Sequence, residues 1–388
     1  MFIAVAAGDL HMGLKDLGQC RSGDSIHSFG QVLNLADTLA NKYDIDVPVI
    51  LAGDIWDQTS VHPEALKWAI NIRNNYKAEI FYVNGNHDHI TPSWTSFFDR
   101  AYRLDETPTK ICPGLSVVGY SWTLPKDFQT AIAENTSKNN FNLLVCHQFI
   151  TEQEDSIIPA AIPVSAFDGI DCPVVAGDIH KPLIVGDKVI YTNCTNRRTL
   201  VEPLGSCLII SDTELKDLPA PLSYETNANG KSVLEPEFVY QTILDGKAVK
   251  MYFYRRLLEN RRLNYLGLDK PFGVDDVHGV VDWINSITVP TEPGPYVVLT
   301  ADSFDPKAVR ELNALVMNSD VYMIYRRKDG VAIENEDSDT SIALSGAKDY
   351  AKEAIRDYPV SQAAKDLAMV MIDNDDQFFE ELNRRFEL

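Results

Sequence analysis

The chain has 388 residues, enough for two or three domains and at least one large core. Its apolar fraction of 45% excludes wholesale disorder. The formal charge of -21, from 35 Lys+Arg against 56 Asp+Glu, argues against a protein that coats nucleic acid with a general basic surface, though not against a nuclease with a local basic groove.

The first half repeats one pattern, a short apolar run ending in a polar cluster, with a helical stretch often following. Run 2–7 is too short for a signal segment and lacks its basic flank, so it reads as a first strand, ending at Gly8-Asp9-Leu10-His11. Residues 25–43 then carry Ile26, Phe29, Leu33 and Leu39 at helical spacing. Run 47–52 ends at Gly53-Asp54-Ile55-Trp56-Asp57, and a second helix over 63–76 has Pro63 in its first turn. Run 80–83 ends at Gly85-Asn86-His87-Asp88, where glycine is expected to permit a tight backbone path. Run 142–146 ends at His147, and run 172–176 ends at Gly177-Asp178-Ile179-His180. Strands alternating with helices predict an α/β layered core. In such sheets ligands gather beyond the carboxyl ends of the strands, which is where all five polar clusters sit.

From about 212 the character changes. Residues 213–236 are rich in Pro, Ser, Asn and Gly and read as a connection, followed by a strand over 237–242. Strand, helix and strand over 295–300, 305–317 and 320–325 predict a second small α/β unit. An acidic linker at 334–339 precedes Ala347, Tyr350, Ala351, Ala354, Ile355 and Tyr358, which recur at i, i+3, i+4 as in an amphipathic helix. The expected domains are therefore 1–212, 213–330, and a linker with helical tail over 331–388. Isolated amphipathic helices are marginal in water, so the tail either folds onto the body or lays its apolar face on a partner.

Six cysteines, none in a CxxC pair, are expected as reduced buried thiols. No stretch approaches the roughly 20 apolar residues of a transmembrane helix, so a soluble, cytoplasmic protein without a membrane partner is expected. Lys247, Lys250, Arg255, Arg256, Arg261, Arg262 and Lys270 form a basic island interleaved with Tyr252, Phe253 and Tyr254. It reads either as a patch that tracks a phosphate backbone or as a solvated helix face. Arg197 and Arg198 follow the last polar cluster closely enough to touch a phosphate near it.

Collected, the strand-end groups are Asp9, His11, Asp54, Asn86, His147, Asp178 and His180, with His87 and Asp57 beside them. Carboxylates, imidazoles and one amide suit divalent ions such as manganese or iron. A pair of such ions polarises a phosphoryl oxygen and activates water.

The order of these clusters, D-x-H, G-D-x-x-D, G-N-H-D, a lone His and G-x-x-H, resembles the calcineurin-like metallophosphoesterases over roughly residues 1–200. The resemblance implies a core of two sheets flanked by helices and two divalent ions, most simply Mn2+, with Mg2+ as the alternative. It implies Asp9, His11, Asp54 and His180 around one ion, and Asp54 as bridge with Asn86, His147 and Asp178 around the other. It gives His87 the role of proton donor or transition-state stabiliser, oriented by Asp57. Where the family usually has G-H-x-H this chain has Asp178, which implies a harder site favouring manganese or magnesium over zinc.

Three features are similar to the nuclease subunit of DNA break-repair complexes, the bacterial SbcCD and meiotic-recombination type. They are the Gly53–Pro63 loop entering a helix, the closure Gly-Asp-Ile-His-Lys-Pro at 177–182, and a smaller α/β capping domain followed by a helical tail. This implies a DNA exo- and endonuclease with a coiled-coil ABC-type ATPase as partner, docked by the tail. It also implies a homodimer, for which Trp68, Trp94, Phe97 and Phe98 are candidate contacts, equally readable as core. The alternatives are a phosphatase or small-molecule phosphodiesterase, and a scaffold that keeps the fold without cleaving.

Overall fold

The structure, a computed structural model, describes residues 1–13, 22–135, 141–153, 161–196, 202–218, 235–244, 247–258, 263–288, 296–316 and 321–327. These divide into two compact units, one reaching residue 258 and one beginning at residue 263.

The first unit is a mixed α/β assembly with two large sheets. One has seven strands in the order Phe238–Leu244, Lys247–Leu257, Ser206–Ser211, Ile3–Ala7, Val49–Ala52, Ile80–Val83 and Ala101–Arg103. The other has six, in the order Ile184–Val185, Val189–Tyr191, Val174–Gly177, Leu143–His147, Leu115–Tyr120 and Thr109–Cys112.

Side chains alternate across a strand with period two, and here both faces are apolar. Phe2, Ala4, Ala6, Ile50, Ala52, Phe81 and Val83 from the first sheet share one buried cluster with Val117, Leu143, Val145, Val175 and Ile190 from the second. The opposite faces are covered by helices. Ile3, Val5, Val49 and Leu51 pack with Phe29, Leu33, Ala36 and Leu39 of the Ser22–Tyr43 helix. Leu144, Cys146, Val174 and Ala176 pack with Phe128 and Ile132 of the Pro125–Asn135 helix.

The helix ends follow from local chemistry. Ser22–Tyr43 carries Asp24 in its first turn and Lys42 in its last, matching the helix dipole. Pro63–Arg73 begins with proline, and His62 Nδ1 accepts the amide proton of Glu64 at 3.3 Å. The parallel strands Ile3–Ala7, Val49–Ala52 and Ile80–Val83 end together, as do Leu143–His147 and Val174–Gly177. The expected polar clusters therefore come off the ends of adjacent strands.

The boundary expected at 212 moves to about 258. Lys247–Leu257 pairs antiparallel with Ser206–Ser211, and Phe238–Leu244 pairs with Lys247–Leu257 at the sheet edge. Met251 and Phe253 complete the cluster between the sheets, while Tyr254 joins the helix-covered face. That burial ties the segment to the first unit. The basic island is thus largely a strand and not a helix face.

The second unit has three parallel strands, Leu263–Gly267, Tyr296–Ala301 and Tyr322–Arg327, with helices Val277–Ile287 and Pro306–Val316. Val297, Leu299 and Ala301 pack with Val280, Ile284, Ala308 and Leu312. The expected strand, helix and strand are present, and the Leu263–Gly267 strand and Val277–Ile287 helix add to them. The expected linker and helical tail over 331–388 lie outside the described residues. Among the described residues no helix is long and apolar enough to cross a membrane. Cys112, Cys146, Cys172, Cys194 and Cys207 are buried free thiols, and burial pushes the Cys112 and Cys207 thiols up to about 12. Cys20 lies outside the described residues.

Candidate metal centre

All seven expected ligands come together at the strand ends of the first unit. Asp9, His11 and His180 form one close set, and Asp9, Asp54 and His147 another. Asp9 follows Ile3–Ala7, Asp54 follows Val49–Ala52, Asn86 follows Ile80–Val83, and Asp178 follows Val174–Gly177. The first two motifs run alongside each other, with His11 N donating to Asp54 O at 2.9 Å and Asp57 N to Met12 O at 3.1 Å.

Four of these residues hold left-handed backbone: Asp9 (φ 52°), His11 (φ 48°), Asp54 (φ 46°) and Asp178 (φ 96°). Each such residue costs roughly 1–3 kcal/mol unless its surroundings over-determine it, and such strain clusters at functional sites. Gly85 is needed for space and not for a left-handed turn. A Cβ there would lie 2.0 Å from Asp54 Oδ1.

Around the first set, His11 Nε2 and His180 Nε2 are 3.2 Å apart, and His180 Nε2 is 3.7 Å from Asp9 Oδ1. Around the second, His147 Nε2 lies 3.0 Å from Asn86 Oδ1, 3.5 Å from Asp54 Oδ2 and 3.7 Å from Asp178 Oδ1. Asp54 Oδ2 also lies 3.7 Å from His11 Nε2, so one carboxylate oxygen faces both sets, as a bridging ligand must. The other oxygen, Oδ1, accepts the His87 amide proton at 2.9 Å, which fixes the carboxylate plane.

His147 Nδ1 donates to Ala52 O at 2.8 Å, leaving Nε2 to face the oxygens. A neutral ring with its lone pair aimed at acceptors is repelled unless a cation or a proton stands between them. A divalent ion with carboxylate, imidazole and amide ligands meets that need.

Burial pushes Asp9 up to about 6, with neighbouring Asp54 and Asp178 adding to the rise and His147 and His180 opposing it. Burial likewise raises Asp178. For Asp54 burial works upward, but His147, His11 and His87 outweigh it and hold the carboxylate well below its usual range. For His147 burial works downward, yet Asp54, Asp9 and Asp178 raise it well above the ordinary imidazole value.

Asp88 sits beneath the centre. Its carboxylate accepts the amide protons of Gly85 at 2.6 Å, Ile55 at 2.8 Å and Trp56 at 3.2 Å. It thereby joins the loops that carry Asp54 and Asn86. His87 Nδ1 meets the main-chain carbonyl oxygen of Asp57 at 2.7 Å, so the expected orienting role falls to the Asp57 backbone. The Asp57 carboxylate instead faces His11 Nδ1 at 3.3 Å.

Two residues of this neighbourhood have no signal in the motifs. Glu202 Oε1 lies 3.0 Å from His180 Nδ1. His89 Nδ1 lies 2.7 Å from Asn86 O, with its ring beside Trp122.

The expected DNA contacts fare differently. Arg255 is 2% exposed, and its guanidinium bonds Glu237 Oε2 at 2.6 Å, Thr192 O at 2.8 Å and Tyr191 O at 2.7 Å. It is a buried tie between the sheets and not a phosphate contact. Arg256 is also buried, beside Cys207, and is withdrawn from that role for the same reason. Lys250 is exposed, with its ammonium over the Tyr252 ring. Arg197, Arg198, Arg261 and Arg262 lie outside the described residues. Phe98 stacks on Phe29 in the core, and Trp94 donates to Thr59 O at 2.7 Å, whereas Trp68 and Phe97 are exposed.

No family model matches the chain, and no curated protein matches it.

Proposed function

We propose that the first unit is a two-metal phosphoesterase and that its substrate is DNA, cleaved as an exo- and endonuclease. The observation that carries the hydrolase reading is the gathering of seven polar side chains at the strand ends around Asp54, whose Oδ2 lies 3.5 Å from His147 Nε2 and 3.7 Å from His11 Nε2. The order of the clusters and the pair of sheets covered by helices support the metallophosphoesterase resemblance. Asp9, His11, Asp54 and His180 would hold one divalent ion, and Asp54, Asn86, His147 and Asp178 the other, with Mn2+ favoured by the carboxylate-rich set and Mg2+ as the alternative. When bound, such ions supply Lewis-acid polarisation of a phosphoryl oxygen and ease the deprotonation of water.

His87 supplies the proton. Its Nδ1 is held by the Asp57 carbonyl and its side chain is 27% exposed, so Nε2 is the atom that donates to the leaving oxygen. Ala52 O keeps the His147 proton on Nδ1, which leaves Nε2 and Asn86 Oδ1, 3.0 Å apart, as two acceptors that face the second ion site together.

DNA as substrate rests on the Gly-Asp-Ile-His-Lys-Pro closure and on the second α/β unit that follows. The same resemblance supplies the remaining partners, a coiled-coil ATPase docked by the tail and a second copy of the chain, with exposed Trp68 and Phe97 as its candidate contacts. The burial of Arg255 and Arg256 favours the second reading, a phosphatase or small-molecule phosphodiesterase, because it removes two cations from the expected DNA track.

Purified protein with Mn2+, offered linear duplex DNA and p-nitrophenyl phosphate esters in parallel, separates the readings. DNA degradation that His87→Ala lowers by about 10²–10⁴-fold, with ion stoichiometry unchanged, is the expected result. Ester hydrolysis without DNA cleavage selects the phosphatase, and neither activity selects a scaffold.

A further inference from the structure

We infer that Glu202 is a positioning residue for the ion site built from Asp9, His11 and His180: it accepts a hydrogen bond from His180 Nδ1 and so aims Nε2 at that site. The inference rests on the metal-centre reading and adds to it a residue outside every motif.

Glu202 Oε1 and His180 Nδ1 are 3.0 Å apart, with side chains 15% and 18% exposed, so the pair is largely shielded from water. On the far side of the ring, Nε2 stands 3.2 Å from His11 Nε2 and 3.7 Å from Asp9 Oδ1. His11 Nδ1 also has a carboxylate beside it, Asp57 Oδ1 at 3.3 Å. Two imidazoles thus point Nε2 at one place, each with a carboxylate beside Nδ1. A ligating histidine needs this, because an oxygen at one nitrogen fixes the tautomer, holds the ring plane and raises the basicity of the other nitrogen. His147, serving the other ion, has the weaker carbonyl oxygen of Ala52 in that position.

The fold places Glu202 there by pinning 202–206 against 193–196. Asn193 Nδ2 donates to Leu204 O at 2.9 Å, and Ser206 N donates to Cys194 O at 2.9 Å. Gly205 permits the approach, since a Cβ there would lie 1.9 Å from Thr195 O. The 193–196 stretch also reaches the first motif. Asn196 Nδ2 donates to Leu10 O at 3.3 Å and Ser25 Oγ at 3.1 Å, and that hydroxyl donates to His11 O at 3.1 Å. The paired stretches 193–196 and 202–206 therefore hold His180 through Glu202 and brace the backbone of His11 through Asn196 and Ser25.

The test is calorimetric titration of Mn2+ into the full chain and into Glu202→Ala, Glu202→Asp and Glu202→Gln, with folding checked by circular dichroism. In Glu202→Ala one of two ions should bind about 10–100-fold more weakly, the other unchanged. Glu202→Gln keeps an oxygen at the same reach and should recover most of that affinity, whereas Glu202→Asp draws the carboxylate back by one methylene and should not. Should the alanine variant not fold, the Asp and Gln variants decide. Wild-type affinity for both ions in Glu202→Ala, or in Glu202→Asp, overturns the inference and leaves the metal centre standing. No Mn2+ binding by the wild type removes the metal centre and this inference with it.

Discussion

Asp9 shows how burial and proposed ligation meet in one residue. Its carboxyl is pushed up to about 6 by burial, with other carboxylates beside it. In the metal-free chain that rise makes Asp9 hold its proton more tightly when folded than when unfolded. The stability this gives is fully present below about pH 4, the unfolded value, and is lost as pH rises through about 6. An ion must displace the same proton, so Mn2+ affinity should fall as pH drops through about 6. Below that point, binding should release protons. Calorimetry in two buffers of different ionisation enthalpy measures the release directly, and identical heats in both would contradict it. Asp57 and His87 carry a second residue-scale lesson. The Asp57 carboxylate, expected beside His87, instead faces His11, and the Asp57 carbonyl oxygen meets His87 Nδ1. Backbone oxygens occur at every position, so no sequence pattern marks the one that matters.

At the scale of elements, the Lys247–Leu257 strand decides how the charge is used. Counted along the chain it belongs to a basic island, but its first half leaves Lys247 and Lys250 exposed while Met251, Phe253, Tyr254, Arg255 and Arg256 in its second half are buried. Arg255 is turned inward, where it meets Glu237 and two carbonyl oxygens that end a strand of the other sheet. Removing one partner of a buried ion pair leaves the other charge uncompensated. Arg255→Ala should therefore cost roughly 3–5 kcal/mol in urea unfolding. DNA affinity of the protein that remains folded should be unchanged. A weakened affinity with unchanged stability would return Arg255 to the DNA surface.

For the whole molecule, the two compact units divide the chain about 46 residues later than the composition shift suggested, since 258 replaces 212. After the composition shift, two further strands, Phe238–Leu244 and Lys247–Leu257, still belong to the first unit. The proposed partnership with an ATPase belongs to this scale and to residues 331–388, outside those described. Deleting 342–388 should abolish co-purification with such a partner while basal nuclease activity continues. Unchanged co-purification would assign the tail to the body instead.

Sequence by itself determined the strands that end in polar clusters and which seven polar side chains gather at their ends. The reason is local. A buried strand needs a run of apolar residues, and the turn that ends it is short, so the donors lie within a few residues of a recognisable signal. The left-handed backbone at Asp9, His11, Asp54 and Asp178 belongs to those same turns. Only the tertiary structure decided which nitrogen of each histidine faces the centre, that Glu202 stands behind His180, and that Arg255 is internal. These depend on segments far apart in the chain lying side by side. Asn196 meets Leu10 and Ser25, and the Lys247–Leu257 strand meets Ser206–Ser211. No periodicity within either partner records which segment it will face.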